Sequence, residues 1–301
     1  MIFTAFVITL FTVGITIALE YGLPYIPISP FRKKTTAKPS DFGLRFKPLI
    51  VRGVKAVILR GYFIQALTVK AKATIIVLHG IGSAKEVYFG FARWLAEQGF
   101  NVVVYDQRAH GRSGGKYCTF GFYEKRDVSK VIDKVLSKYS KLPIGIHGTS
   151  LGGAVALQAL AIEKRLSFGI IESTFNTLEN VIEEYSNDML KFRSRWLVKR
   201  ILARAAQIAE FRPFDIKPVE SCRQIEQPIL MVHGEADEKI PIAFNLDNFN
   251  ALKTTDKEFF IVKNAGHDDV GEVGGALYQQ KLLGFLNRCV NLPPLSKTYD
   301  K

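Results

Sequence analysis

The sequence predicts an α/β protein with a mostly parallel central sheet covered by helices on both faces. Three observations carry this. Short runs at 73–78, 101–105, 144–147, 167–171, 228–232 and 259–262 are strand-length and almost wholly apolar. Strands of that kind lie in parallel sheets, where crossover helices cover both faces. The segments between them carry apolar residues at helical spacing, as in Val87, Phe91, Trp94 and Leu95. Finally, 143–153 reads Pro-Ile-Gly-Ile-His-Gly-Thr-Ser-Leu-Gly-Gly and runs into the helix-forming stretch Ala154 to Ala161, which is strand, sharp turn, helix. No internal repeat of fixed period is visible.

Residues 1–19 hold no charged side chain. As a helix they would rise about 28 Å, close to the roughly 30 Å of a bilayer's hydrocarbon. A transmembrane anchor over 1–21 is expected. The rival is a cleavable signal peptide, but the segment has no basic start, and Gly14 to Leu19 offers no small-x-small cleavage site. Arg32, Lys33, Lys34 and Lys38 follow the segment and no basic residue precedes it, which places the folded body on the cytoplasmic side. Pro24, Pro27, Pro30 and Pro39 mark 22–42 as an extended linker.

The folded domain is expected over 43–291. It opens with a hairpin, 43–51 and 54–65, turning near Arg52-Gly53. The 73–78 strand ends at His79-Gly80, and a helix over 85–98 follows. Next come the 101–105 strand, a loop with Asp106, and a helix over 122–139. The serine turn, its helix and the 167–171 strand lead to an insertion. Strands at 228–232 and 259–262 flank a helix at 242–252, a last helix spans 274–288, and 292–301 reads as a flexible tail. The insertion, 174–224, is polar and helical and reads as a lid over the sheet's C-terminal edge. Its 191–212 stretch holds seven basic residues against one acidic, with Phe192, Trp196, Leu197, Ile201, Leu202 and Ile208 interleaved. Its charges are either solvated on a cap helix or set against phospholipid headgroups.

At 301 residues and 48% hydrophobic content the chain can bury one large core or two modest ones, which excludes a disordered protein. The net charge of +13 suits an anionic membrane, or nucleic acid, for which there is no reading motif. Cys118, Cys222 and Cys289 are too far apart to read as a disulfide framework or metal site. That usage favours a reducing compartment.

The serine turn carries chemistry. Its tight geometry strains the Ser150 backbone and exposes the hydroxyl, and glycines two residues to either side avoid collisions with strand and helix. The helix that begins there favours negative charge. A serine hydroxyl needs a base, and the base needs an orienting group. Of five histidines, His79, His147 and His233 end strand runs before a glycine and read as structural, and His110 lies in the Asp106–Gly115 loop. His267 follows the last strand and is the expected base. Asp237, after the 228–232 strand, is the expected carboxylate, with Glu235 and Glu172 as competitors. The oxyanion needs two backbone donors, expected from the N–H groups of Leu151 and Ile81.

These residues resemble a known family. His79-Gly80-Ile81-Gly82, Tyr105 to Ser113, Gly148-Thr149-Ser150-Leu151-Gly152-Gly153, Gly234 to Pro241 and Gly266-His267 stand in the order of the α/β-hydrolases. The resemblance covers about 45–290 and points to the serine esterase/lipase-like and serine aminopeptidase-like branch. Where that family often has glycine, this chain has Ala109. The resemblance implies acyl transfer without a metal or organic cofactor. The expected function is membrane-anchored hydrolysis of a carboxylic ester or thioester, lipid acyl esters included, through an acyl-enzyme. A serine amidase or aminopeptidase on the same triad is the alternative, and a catalytically silent binding protein the further one.

Overall fold

The computed structural model describes residues 2–33 and 35–291; Met1, Lys34 and the expected tail, 292–301, lie outside the described residues. Eight strands form one sheet: β1 (Phe46–Arg52), β2 (Ile58–Ile64), β3 (Ala73–Leu78), β4 (Phe100–Asp106), β5 (Ile144–Thr149), β6 (Leu166–Glu172), β7 (Ile229–Gly234) and β8 (Lys257–Val262). Their order is β1-β2-β4-β3-β5-β6-β7-β8. The β1–β2 and β2–β4 pairs are antiparallel and the remaining pairs parallel.

The helices are α1 (Ile2–Ile17), α2 (Tyr25–Ile28), α3 (Phe89–Glu97), α4 (Glu124–Lys138), α5 (Leu151–Ile162), α6 (Leu178–Leu190), α7 (Arg195–Ala209), α8 (Pro218–Cys222), α9 (Ile242–Ala251) and α10 (Val270–Asn291). Alternate strand residues feed opposite faces, the period of two that a strand imposes. Ile76, Leu78, Val103, Tyr105 and Met231 pack with α4 and α5. Ile75, Val77, Val102, Val104 and Val232 pack with α3 and α10. Strands β3, β4 and β7 are buried along their whole length, as wholly apolar runs require.

Two sequence expectations change. The proline-rich stretch does not stand off as a linker. It is docked: Ile28 is fully buried in the core, and the Arg32 guanidinium donates to the carbonyl oxygens of Ser113 (2.6 Å) and Gly115. Pro24 and Pro27 sit at the start of and inside the short helix Tyr25–Ile28, and Pro39 opens a single 3-10 turn, so the stretch is partly helical as well as docked. The 174–224 insertion is two things. Its end, α8, packs on α5 and α9 as part of the helical layer, with Cys222 buried. Only α6 and α7 form a separate layer.

The basic run in that layer is paired. Lys191 meets Asp188 (3.0 Å), Arg193 Glu184 (2.9 Å), Arg195 Glu183 (3.3 Å), Lys199 Glu179 (3.8 Å) and Arg212 Asp215 (2.8 Å). Arg200 and Arg204 pair with Glu20, just beyond α1, Arg204 at 3.0 Å. Most of these side chains are exposed, so the pairs add little stability, but they neutralise the charge locally.

By length and composition the N-terminal helix suits a bilayer crossing or a signal sequence. Its apolar run continues to Ile28, which is buried, while Tyr21 and Ile26 before it remain exposed.

Candidate functional site

In a parallel sheet the loops after every strand gather on one edge. Register pairs Leu78 with Gly148, Thr149 with Glu172, and Gly234 with Val262. The loops after β3, β5, β6, β7 and β8 therefore open on the same edge. Ser150 sits between β5 and α5 with φ 57° and ψ −119°, a region that costs a non-glycine residue about 1–3 kcal/mol. Its N–H donates to the Glu172 carbonyl oxygen (2.9 Å), and its own carbonyl accepts from the Ala154 N–H (3.1 Å) and the Thr174 hydroxyl (2.7 Å). These bonds hold the strained turn.

The flanking glycines are required by close approach. A Cβ on Gly148 would stand 2.2 Å from the Gly152 carbonyl oxygen, and one on Gly152 would stand 2.3 Å from that of Leu78. Backbone atoms cannot yield at such distances. Gly148→Ala is expected to destabilise by about 3 kcal/mol or more, read as a lowered urea midpoint or loss of folded protein.

Asp237, after β7, and His267, after β8, meet: the imidazole Nδ1–H donates to Asp237 Oδ2 at 2.8 Å. Asp237 Oδ1 accepts the N–H groups of Lys239 (3.0 Å) and Ile240 (2.9 Å). Burial disfavours the Asp237 anion, but the His267 bond, the neighbouring imidazoles and the Ile240 N–H outweigh it, holding the carboxyl below its usual range.

The model of the serine aminopeptidase family S33 matches residues 69–206. An esterase of Pyrococcus furiosus is similar over 87% of this chain and 97% of its own, at 25% identity and a TM-score of 0.73. The chain has the α/β-hydrolase fold. The uncharacterized Bacillus subtilis protein YqkD is 29% identical over 64% of this chain and 64% of its own length. The acylaminoacyl peptidase of Pyrococcus horikoshii shares the fold at 18% identity, with a TM-score of 0.62 over 85% of this chain and 43% of its own.

The structure brings together some of the candidate residues and separates others. Glu235 is exposed and accepts the Asn264 N–H (3.2 Å). Glu172 is buried beneath the turn, accepting from Thr149 (3.1 Å) and from the Tyr278 hydroxyl, 3.2 Å from His147. Neither competitor bonds to His267. His79 is buried, donates from Nδ1 to the Gly80 carbonyl (2.8 Å) and accepts the Gln107 N–H (3.0 Å) on Nε2. Burial, with His110 adding to it, lowers its pKa to about 3, so the ring is neutral and braces the loop after β3. His233 is fully buried and donates from Nε2 to the Ile240 carbonyl (3.0 Å). His110 is fully buried too, its Nδ1 2.8 Å from the Arg108 carbonyl. Ala109 adopts φ 63°, a left-handed conformation that glycine takes without cost.

Leu151 is the first residue of α5, so its N–H has no partner within the helix. The loop holding Ile81 lies against the serine: a Cβ on Gly80 would be 3.4 Å from Ser150 Cβ and 3.9 Å from its Oγ.

One contact escaped sequence reasoning. The Tyr185 side chain, on α6, lies next to that of Ser150. Burial, and then the Asp237 charge, raise its pKa to about 12, so it stays a neutral phenol. The signal was faint. Leu178, Val181, Ile182 and Tyr185 share a stripe at helical spacing, which says only that Tyr185 faces the domain.

Proposed function

We propose that this α/β-hydrolase is a membrane-anchored serine hydrolase cleaving a carboxylic ester or thioester, with Ser150 as nucleophile, His267 as base and Asp237 as the orienting carboxylate. The observation that carries the reading is the 2.8 Å bond from His267 Nδ1 to Asp237 on the strand edge that holds the strained Ser150. That bond keeps the His267 proton on Nδ1 and leaves Nε2 with a free lone pair for the Ser150 proton. Serine attack forms a tetrahedral intermediate whose oxyanion is held by the N–H groups of Ile81 and Leu151. The imidazolium protonates the leaving group, and an acyl-enzyme remains. Water deprotonated by His267 then releases the acid and regenerates Ser150. The body faces the cytoplasm, with α1 as the anchor.

The serine aminopeptidase match favours a second reading, amide cleavage. A substrate ammonium would need a carboxylate near the serine. Asp237 serves His267, Asp268 pairs with Lys239, and Glu172 lies beneath the turn. This favours esters.

A fluorophosphonate probe is expected to label the wild-type chain and not Ser150→Ala. Labelling retained in the variant, or a wild-type chain inert to every acyl probe, would overturn the assignment. Aminoacyl p-nitroanilides turned over faster than p-nitrophenyl acyl esters of any chain length would make it an amidase.

A further inference from the structure

The corner between α6 and α7 is apolar and unprotected. Phe192 is 61% exposed and Trp196 70%, with Met189 beside them in the chain. Among the described residues nothing covers these side chains, while the basic residues around them are engaged with carboxylates of the same insertion.

One contact says what lies next to this corner. Glu20, at the end of the apolar N-terminal helix, pairs with both Arg200 and Arg204 of α7. The π-helical Ala18–Gly22 and α2 also pack directly on α7. Residues 196, 200 and 204 follow one stripe of α7 at i, i+4, i+8. Trp196 is therefore one turn, about 6 Å, along the helix from Arg200. The polar layer on one side of a bilayer is about 5–8 Å thick.

We propose that the Glu20–Arg200–Arg204 clasp holds α7 at the membrane surface, so that Phe192 and Trp196 are seated in the bilayer interface. The inference rests on the anchor reading of α1 given under the proposed function. A phospholipid bilayer is the occupant, because the helix that would enter it ends on the same element as the exposed corner. Aromatic side chains, above all tryptophan, settle at that depth. The tether keeps the corner near lipid at all times, which raises its effective concentration there. The pairing of the basic residues makes the contact an apolar one that does not depend on anionic lipid.

The chain has two tryptophans, so Trp94→Phe leaves Trp196 as the single reporter. The full chain carrying Trp94→Phe is reconstituted in phosphatidylcholine vesicles with plain or brominated acyl chains, and flotation is measured in parallel. The expected result is co-flotation, a blue-shifted emission and loss of fluorescence with brominated lipid. Glu20→Ala is expected to float equally well and to lose much of the quenching. The converse variant, Trp196→Phe, is expected to show little quenching from Trp94. A chain that floats while Trp196 emits equally in both lipids overturns the inference and leaves the anchor intact. Quenching that appears only when anionic lipid is added overturns the apolar-contact assignment. A chain that does not float overturns the anchor reading, and the inference falls with it.

Discussion

Asp237→Asn is expected to lower kcat on a p-nitrophenyl acyl ester by about 10⁴-fold while leaving KM within a few-fold. The reason lies in how Asp237 is held. Its Oδ1 accepts two backbone N–H groups, from Lys239 and Ile240, and its Oδ2 accepts His267 Nδ1–H. An asparagine must keep its carbonyl oxygen toward the two N–H donors, because an amide NH₂ there would face hydrogens. Its NH₂ then points at His267 Nδ1, which becomes the acceptor. The ring proton moves to Nε2, the nitrogen that has to take the serine proton, and the base is blocked in the wrong tautomer. A kcat within tenfold of wild type would remove Asp237 from the proposed triad. The same variant has a signature in stability. A carboxyl held below its ordinary pKa, near 3.9, stabilises the fold above that value and loses this contribution as pH falls through the folded-state pKa. Wild type is therefore expected to exceed Asp237→Asn in urea midpoint at pH 7, with the gap closing as the pH falls below the ordinary carboxyl value.

The choice among the acidic residues shows where sequence reading stops. Strands such as Ala73–Leu78 were legible because a run buried on both faces has to be apolar at every position. The serine turn was legible because only glycine fits at 148 and 152. Asp237 and Glu235 follow one strand of the sheet and Glu172 ends another, and the difference between them is a matter of side-chain direction. Glu235 points into solvent beside Asn264, and Glu172 points beneath the turn. Contacts between distant segments were illegible for another reason. Ile28 sits in a proline-rich stretch whose composition fits an extended chain, and an extended chain can lie on a surface as easily as leave it. The basic run on α7 looked like excess charge because its partners are on α6 and at Glu20, 180 residues from Arg200. Tyr185 was hidden similarly: a helical stripe gives the face of a helix, not the atom at its end.

Replacing Ser150 by glycine and by alanine is expected to separate what the turn costs from what it does. Both variants lack the hydroxyl, so on the proposed mechanism both lose about 10⁶-fold in kcat. They differ in backbone freedom. At φ 57° and ψ −119° alanine carries the same strain as serine, about 1–3 kcal/mol, and glycine carries none. Against this, glycine's looser unfolded chain costs roughly 0.5–1 kcal/mol. The strain is the larger of the two, so Ser150→Gly is expected to be more stable than Ser150→Ala by about 1 kcal/mol, read from urea midpoints at equal slope. Such a result would mean that the fold gives up stability to aim a hydroxyl at the edge where His267 and Asp237 meet, a cost with no purpose in a protein that only binds. Equal midpoints would mean that the turn is unstrained as built. Its shape would then follow from the contacts of Gly148 and Gly152 alone, and the backbone of Ser150 would say nothing about chemistry.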